Sequence, residues 1–290
     1  MSAELQLRDW SNVRADLAWI YEGTVQPVHR KDVFRPNFLG AWLLLAGKVR
    51  LEQGNSVVEA ARGEGVVLRQ ASGYQRFSDD ARILSIRFSA EWPDRRPFYD
   101  EGLSTTFPAA LNPALEKAAR ALLEIARPYL AEDPHALLTR ALPFDSYAGL
   151  KVGFWRWLAE LHRARESRGV MPTRTQLNDE RIIAVLHELD RLPLSAKFSE
   201  RDLAKIAGLQ LGHFVRTFRQ QVGVTPKRYF MKRRRAACRR LLAGSEIPIK
   251  EIALDLGFQR LSDFSTWFRQ AEGVSPREYR QMPHAANSPV

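Results

Sequence analysis

The sequence predicts an α+β chain in two parts. An antiparallel β-barrel or sandwich with two following helices comes first. An all-α domain follows, in which one small helical unit occurs twice around a long joining helix. Three observations carry this. Short apolar or alternating runs broken by turn residues fill the stretch from Leu17 to Phe88, the pattern of an antiparallel sandwich or barrel. Beyond Trp92-Pro93 the apolar spacing changes to the helical period. From Phe218 the text Phe218-Arg219-Gln220, Gly223-Val224-Thr225-Pro226, Tyr229 returns fifty residues later as Phe268-Arg269-Gln270, Gly273-Val274-Ser275-Pro276, Tyr279. Upstream, Leu203-Ala204 and Ala207-Gly208-Leu209 return as Ile252-Ala253 and Leu256-Gly257-Phe258 at an offset of forty-nine. A loop insertion in a duplicated helical unit produces such a one-residue slip.

Candidate strands cover 17–21, 38–45, 49–51, 57–60, 66–69, 74–77 and 83–88, with turn residues such as Gly47-Lys48, Gly54-Asn55 and Ser72-Gly73 between them. Asn112-Pro113 starts a helix in which Leu115, Ala118, Ala119, Leu122, Leu123 and Ala126 share one face. A second helix, about 147–168, lines up Leu150, Phe154, Trp157, Leu158 and Leu161, a stripe suited to packing on the sheet or on a second subunit. The first domain is thus 1–168, and 169–178 reads as a linker.

The expected helices of the last part are 179–191, 200–207, 211–221, 226–243, 250–255, 262–271 and 276–281. Ser199 is placed to cap the second of them, with Asp202 at the third position. Gly208 and Gly257 stand where a left-handed residue turns the chain. The domain spans 179–282 and a tail 283–290 remains.

Composition narrows the function classes. The chain has 290 residues, 45% hydrophobic and 27% charged, so each of two domains can bury its own core. Apolar runs such as 41–46 are too short for a bilayer, and the start lacks a basic region followed by an apolar stretch. A single cysteine, Cys238, excludes an internal disulfide and fits a reducing compartment, so a cytoplasmic protein without membrane contact is expected. Residues 179–290 carry 20 Lys/Arg against 12 Asp/Glu, a net of +8, against +3 for residues 1–178. The duplicated part is the basic one, which favours a polyanionic partner.

Helix, glycine turn, helix, written twice, is the layout of two helix-turn-helix modules, about 199–221 and 249–271, with a connecting helix at about 226–243. Each second helix buries one face and leaves the other free for a DNA major groove. In the first copy Leu203, Ile206, Ala207, Leu209, Phe214 and Phe218 supply the buried positions. Ile252, Ala253, Leu256, Phe258, Phe264 and Phe268 supply them in the second.

On these blocks, together with Ser262-Asp263-Phe264-Ser265 and Pro276-Arg277-Glu278-Tyr279-Arg280, residues 179–282 resemble the DNA-binding domain of the AraC/XylS family of transcriptional regulators. The resemblance implies a monomer whose two recognition helices meet successive major grooves of double-stranded DNA, about 34 Å apart. It maps base-reading roles onto Gln210, Gly212, Val215 and Arg216 in the first copy, and onto Arg260, Leu261, Ser262 and Thr266 in the second. Arg216 leads, because a guanidinium pairs bidentately with guanine for about 1–3 kcal/mol of discrimination. Gln210 stands where the family usually has a serine cap, Thr266 where arginine is common, and Gly212 offers a base no side chain. Phosphate contacts are expected from Lys227, Arg228, Lys232 and Arg269.

The first domain resembles the cupin-like effector domain of such regulators, through Trp42 to Gly47, Gly63-Glu64-Gly65-Val66-Val67-Leu68 and Arg82 to Phe88. The resemblance implies a small-molecule effector, with Trp19, Tyr21, Trp42, Tyr74 and Arg87 as a lining, a possible homodimer through this domain, and RNA polymerase as a further partner. His29 is the lone histidine of the barrel region, and Gln70, Tyr74, Gln75 and Arg76 stand where metal-binding cupins place ligands, so neither a metal nor a cofactor is expected. No catalytic constellation is present, and Cys238 reads as a small buried residue. A cupin-type enzyme tethered to DNA, and a nucleoid-associated binder without sequence preference, are the competing classes.

Overall fold

The computed structural model describes residues 7–34, 38–69, 72–99, 104–130, 137, 140–173, 177–244 and 247–281. It divides into two compact units. Of the described residues, one unit holds 13–90 and 97–173; the other holds 7–12, 91–96 and 177–281.

The first unit is a sandwich of two sheets. One contains β1 (Arg14–Thr24), β8 (Arg82–Glu91), β3 (Leu39–Ala46), β6 (Glu64–Leu68) and β9 (Thr105–Pro108), in that order. The other contains β2 (Lys31–Phe34), β7 (Gly73–Phe77), β4 (Lys48–Gln53) and β5 (Ser56–Ala61). The register shows which side chains face inward. Trp42 pairs with Ser85 and with Val66, Leu44 with Ile83, and Gly40 with Arg87 and Leu68. Trp42, Leu44, Val66, Leu68 and Ile83 meet Val49, Leu51 and Phe77 of the opposite sheet in one core. β4 alternates buried and exposed, as a strand with one wet face must, whereas β8 is buried along most of its length.

The second face of β8 explains the difference. Two helices, α2 (Pro113–Ala126) and α3 (Phe144–Glu166), form a third layer. Phe88 of β8 stacks edge-on to Trp157 of α3 at 5.0 Å and lies 6.1 Å from Phe154. The buried positions of both helices include every residue of the stripes read from the sequence. Three elements were not anticipated: β2, β9 and a short helix, α1 (Leu7–Ser11). β2 and β9 are edge strands, and Lys31, Asp32 and Pro108 within them are what edge strands tolerate and periodicity arguments miss.

The second unit is helical apart from the stretch 91–96: α4 (Glu180–Arg191), α5 (Glu200–Ile206), α6 (Leu211–Val222), α7 (Pro226–Gly244), α8 (Ile249–Asp255), α9 (Leu261–Glu272) and α10 (Pro276–Gln281). Its first core joins α4 to α7 through Val185, Leu186, Leu203, Phe214, Phe218 and Phe230. Residues 91–96 belong here and not to the sandwich, which departs from the division at residue 168. Cys238 is fully buried on α7, and burial pushes its thiol up to about 12, which suits an inert core residue.

Candidate nucleic-acid interface

Two modules repeat the same geometry. α5 starts at Ser199, whose Oγ accepts from the Asp202 N–H at 3.3 Å. The turns to the second helices use Gly208 at φ +62° and Gly257 at φ +83°, a region that side chains avoid. A Cβ at Gly257 would also sit 2.8 Å from the backbone of Ser195. Glycine therefore serves both the turn and the close packing of the second module against the loop after α4.

The second helices of the two modules, α6 and α9, match residue for residue in exposure across 211–220 and 261–270. Phe214 and Phe218 point inward, 5.8 Å apart, as Phe264 and Phe268 do at 6.0 Å. Tyr229 meets Phe218 edge-on at 6.1 Å, and Tyr279 meets Phe268 at 5.2 Å. The opposite face carries the residues singled out above. Gln210, Gly212, Arg216, Arg260, Leu261, Ser262 and Thr266 are exposed, and Val215 is half-buried. Neither Gln210 nor Arg260 caps its helix with a side chain.

Three expected core positions fall elsewhere, and one of them, Leu209, is half-buried against the first core. Ile206 is 49% exposed, because Leu203, Ala204 and Ala207 already fill the inner face of the short α5. Phe258 is half-buried, packed against Phe264 and Trp267 at 5.4 and 5.1 Å.

The basic run on α7 divides by role. Arg233 pairs with Asp190 at 3.3 Å and donates to the backbone carbonyls of Leu189, Asp190 and Leu192. Arg234 donates to the Leu194 carbonyl and lies over the rings of Phe230 and Phe258 at 5.0 and 5.7 Å, which ties the two modules together. Arg235 pairs with Glu272 of α9. Lys232 remains exposed, as do Lys227, Arg228 and Arg269, and none of the four enters an ion pair among the described residues. Internal partners therefore take up the arginines that face neighbouring helices, and the outward cations stay in water.

Between the modules lies an open groove of about 710 Å³, bordered by Lys197, Arg201, Leu211, Lys227 and Gln259. Lys197 and Arg201, on and beside the α5 start, were not anticipated, since nothing in the repeat marks that loop. At 1.5 Å per residue the 19-residue α7 spans about 28 Å, on the scale of the roughly 34 Å turn of B-DNA.

Within the sandwich, the proposed lining residues do not all gather. Trp42 and Arg87 are on the inner face by register. The Arg87 guanidinium lies 4.9 Å from the Trp19 ring, and Trp19 stacks on Tyr21 at 5.6 Å. Tyr74 does not join them. Its neighbour Gln75 pairs with Leu51 on the inner side, so Tyr74 faces out, beside Arg76. A one-residue step in a strand reverses the face.

Arg87 is buried, and burial pushes its guanidinium down to about 10, with no carboxylate among the described residues opposing the shift. Gly40, its cross-strand partner, offers no side chain. Two residues outside the expected lining, Ser85 and Gln75, lie on this inner side. Ser85 Oγ is buried without a hydrogen-bond partner among the described residues, as is Trp42 Nε1. Gln75 donates to the His29 carbonyl at 2.9 Å. The His29 imidazole is shifted down by burial, and Arg87 lowers it further while Asp32, 3.8 Å away, opposes the shift. Among the described residues no group of three or more His, Cys, Asp or Glu is placed to hold a metal ion, and no helix is long and apolar enough to cross a membrane.

Residues 203–282 match the family described as "Helix-turn-helix domain". Over 87 residues the chain is 33% identical to the probable transcriptional regulator LumQ of Photobacterium leiognathi, an overlap of 30% of this chain and 35% of LumQ. It is 30% identical over 194 residues to the HTH-type transcriptional activator RhaS of Escherichia coli O139:H28, covering 65% of this chain and 66% of RhaS. The chain thus spans less than two thirds of the length of either curated relative. A structural similarity extends to ToxT from Vibrio cholerae O395, at 14% identity and a TM-score of 0.47, over 97% of this chain and 100% of that one.

Proposed function

We infer that this chain, which belongs to the AraC/XylS family by its C-terminal domain, is a sequence-specific transcriptional regulator that binds double-stranded DNA in the cytoplasm and is not an enzyme. The observation that carries the reading is the paired exposure pattern of α6 and α9 on one compact unit, with unpaired cations beside it. Arg216, Val215, Gln210 and Gly212 would meet one major groove; Arg260, Leu261, Ser262 and Thr266 would meet the next. Lys227, Arg228, Lys232 and Arg269 would take phosphates, a sequence-blind contribution that weakens with salt.

Selection of bound duplexes from a genomic library, followed by binding to the selected and to random DNA at several salt concentrations, tests this. A regulator keeps a large specificity ratio as salt rises. Uniform loss on both DNAs would establish a nucleoid-type binder instead. Transcription in vitro with RNA polymerase on the selected promoter then reads activation or repression.

The inner face of the sandwich supports an effector site for a small organic anion, with Arg87 as its counter-ion and Trp19, Tyr21 and Trp42 as apolar walls. Arg87→Met keeps the length of the buried stem and removes the charge. Thermal-shift screening against a carboxylate library should give hits with the parent protein that vanish in this variant. Hits that persist unchanged would place the site elsewhere.

The outward face of α3 presents Phe144, Val152 and Trp155, with Val152 70% exposed, a surface fit for a second copy of this chain. Val152→Glu is expected to convert a sedimenting dimer to monomer, and identical sedimentation of parent and variant would refute that contact.

A further inference from the structure

The DNA-binding unit includes two stretches from upstream in the sequence, 7–12 and 91–96, and the second of them continues a strand of the sandwich. β8 ends at Glu91, and the chain then folds on itself: the Arg96 carbonyl accepts from Trp92 N–H at 2.9 Å, and the Trp92 carbonyl accepts from Arg95 N–H at 2.9 Å. Arg95 is held at φ +65°, a conformation that side chains avoid, and it is the one such non-glycine residue among those described. Surrounding contacts must hold a residue there.

Those contacts come from α4 and α7, which share the first core with α6. Tyr229 Oη donates to the Pro93 carbonyl at 2.9 Å in a buried bond, and lies 3.3 and 3.4 Å from the two carboxylate oxygens of Asp190. Arg95 Nη2 donates to Asp190 at 2.9 Å while Nη1 donates to Glu91 at 3.2 Å. Arg233 of α7 also pairs with Asp190. Arg96, paired with Asp94 at 3.2 Å, reaches to 3.4 Å from the position a Cβ would take at Gly223, the C-cap of α6. The turn therefore bonds to the last turn of α4 and the first turn of α7, and the Arg96 side chain lies beside the C-cap of α6. It leaves the outward face of α6 uncovered, since Gly212 and Arg216 are exposed.

We propose that the turn 92–96 is a brace for the first recognition helix alone, with Arg95 and Asp190 as positioning residues that set the pose of α6 on DNA. The repeat supplies a built-in comparison. α9 has the same exposure pattern and the same tyrosine fifty residues on, but the carbonyl of Pro93 and the guanidinium of Arg95 go to Tyr229 and Asp190. The two heads are thus held by different contacts, and the stretch beside the first is the continuation of a sandwich strand. This rests on the reading of α6 and α9 as DNA-contacting helices.

The test uses the full chain and a duplex selected by it. Arg95→Gly relieves the backbone conformation and removes the charge; Asp190→Asn keeps the shape; Tyr229→Phe removes one hydroxyl and keeps the ring. Each is expected to lower affinity about tenfold, the range for a broken hydrogen-bonded charge pair, and to weaken hydroxyl-radical protection over the segment whose protection Arg216→Ala removes. The other segment stays protected, and Arg95→Gly combined with Asp190→Asn costs no more than the worse single change. Equal weakening over both segments, which a general loss of folding would give, overturns the brace, and so does an unchanged footprint. Should the parent chain select no duplex at all, the DNA-binding reading fails, a result distinct from either.

Discussion

Truncating Phe218 to alanine is expected to cost the DNA-binding unit about 3–5 kcal/mol, the range for deleting a buried aromatic ring. Phe218 is 0% exposed and packs between Phe214 and Tyr229, so the cavity left would be walled by rings that cannot collapse far. Against a typical stability of about 5–15 kcal/mol, that is a large share. The core around Phe218 and the sandwich core around Trp42 have no residue in common. Urea unfolding followed by helical circular dichroism should move to a lower midpoint by roughly 2 M at a slope near 2 kcal/mol per molar. A shift below about 0.5 M would mean that the packing of the first module does not depend on this ring.

Arg216→Ala carries the second large effect, on recognition and not on folding. The side chain is exposed at the centre of the outward face of α6 and enters no ion pair among the described residues, so its removal disturbs nothing in the free protein. A lost bidentate contact to guanine should lower affinity for the selected duplex between about 5- and 150-fold, and relax the preference at one base pair. A phosphate contact gives a different signature: weakening that is uniform across sequences, with a salt slope smaller by about one. Selection repeated with the variant separates the two. Unchanged affinity and unchanged preference together would show that α6 does not read DNA through this residue.

The corrections share one cause. Ile206 looked internal because it is apolar and sits at helical spacing, but a helix of seven residues has room for only one buried face. Tyr74 looked like a pocket wall because aromatic residues line pockets, but strand register sends it to the outer surface. Edge strands β2 and β9 carry too little apolar signal to be seen from local pattern. In each case composition was legible, and the direction a residue faces was set by partners distant in sequence.

What the chain's text determined alone is the duplicated helical unit. Its glycines, prolines and aromatics recur at fixed offsets, and turn chemistry, capping and helical period are local properties, so the seven helices from α4 to α10 fall within about two residues of where pattern places them. Tertiary structure decided the rest: which of the four cations from Lys232 to Arg235 stay in water, which sandwich side chains share an interior, and that six residues leaving a β-strand are built into the helical unit. Those outcomes depend on contacts between segments many tens of residues apart, as between Arg95 and Asp190 or Pro93 and Tyr229. Such contacts form only when the whole chain has paid its conformational entropy, and no local sequence pattern records them.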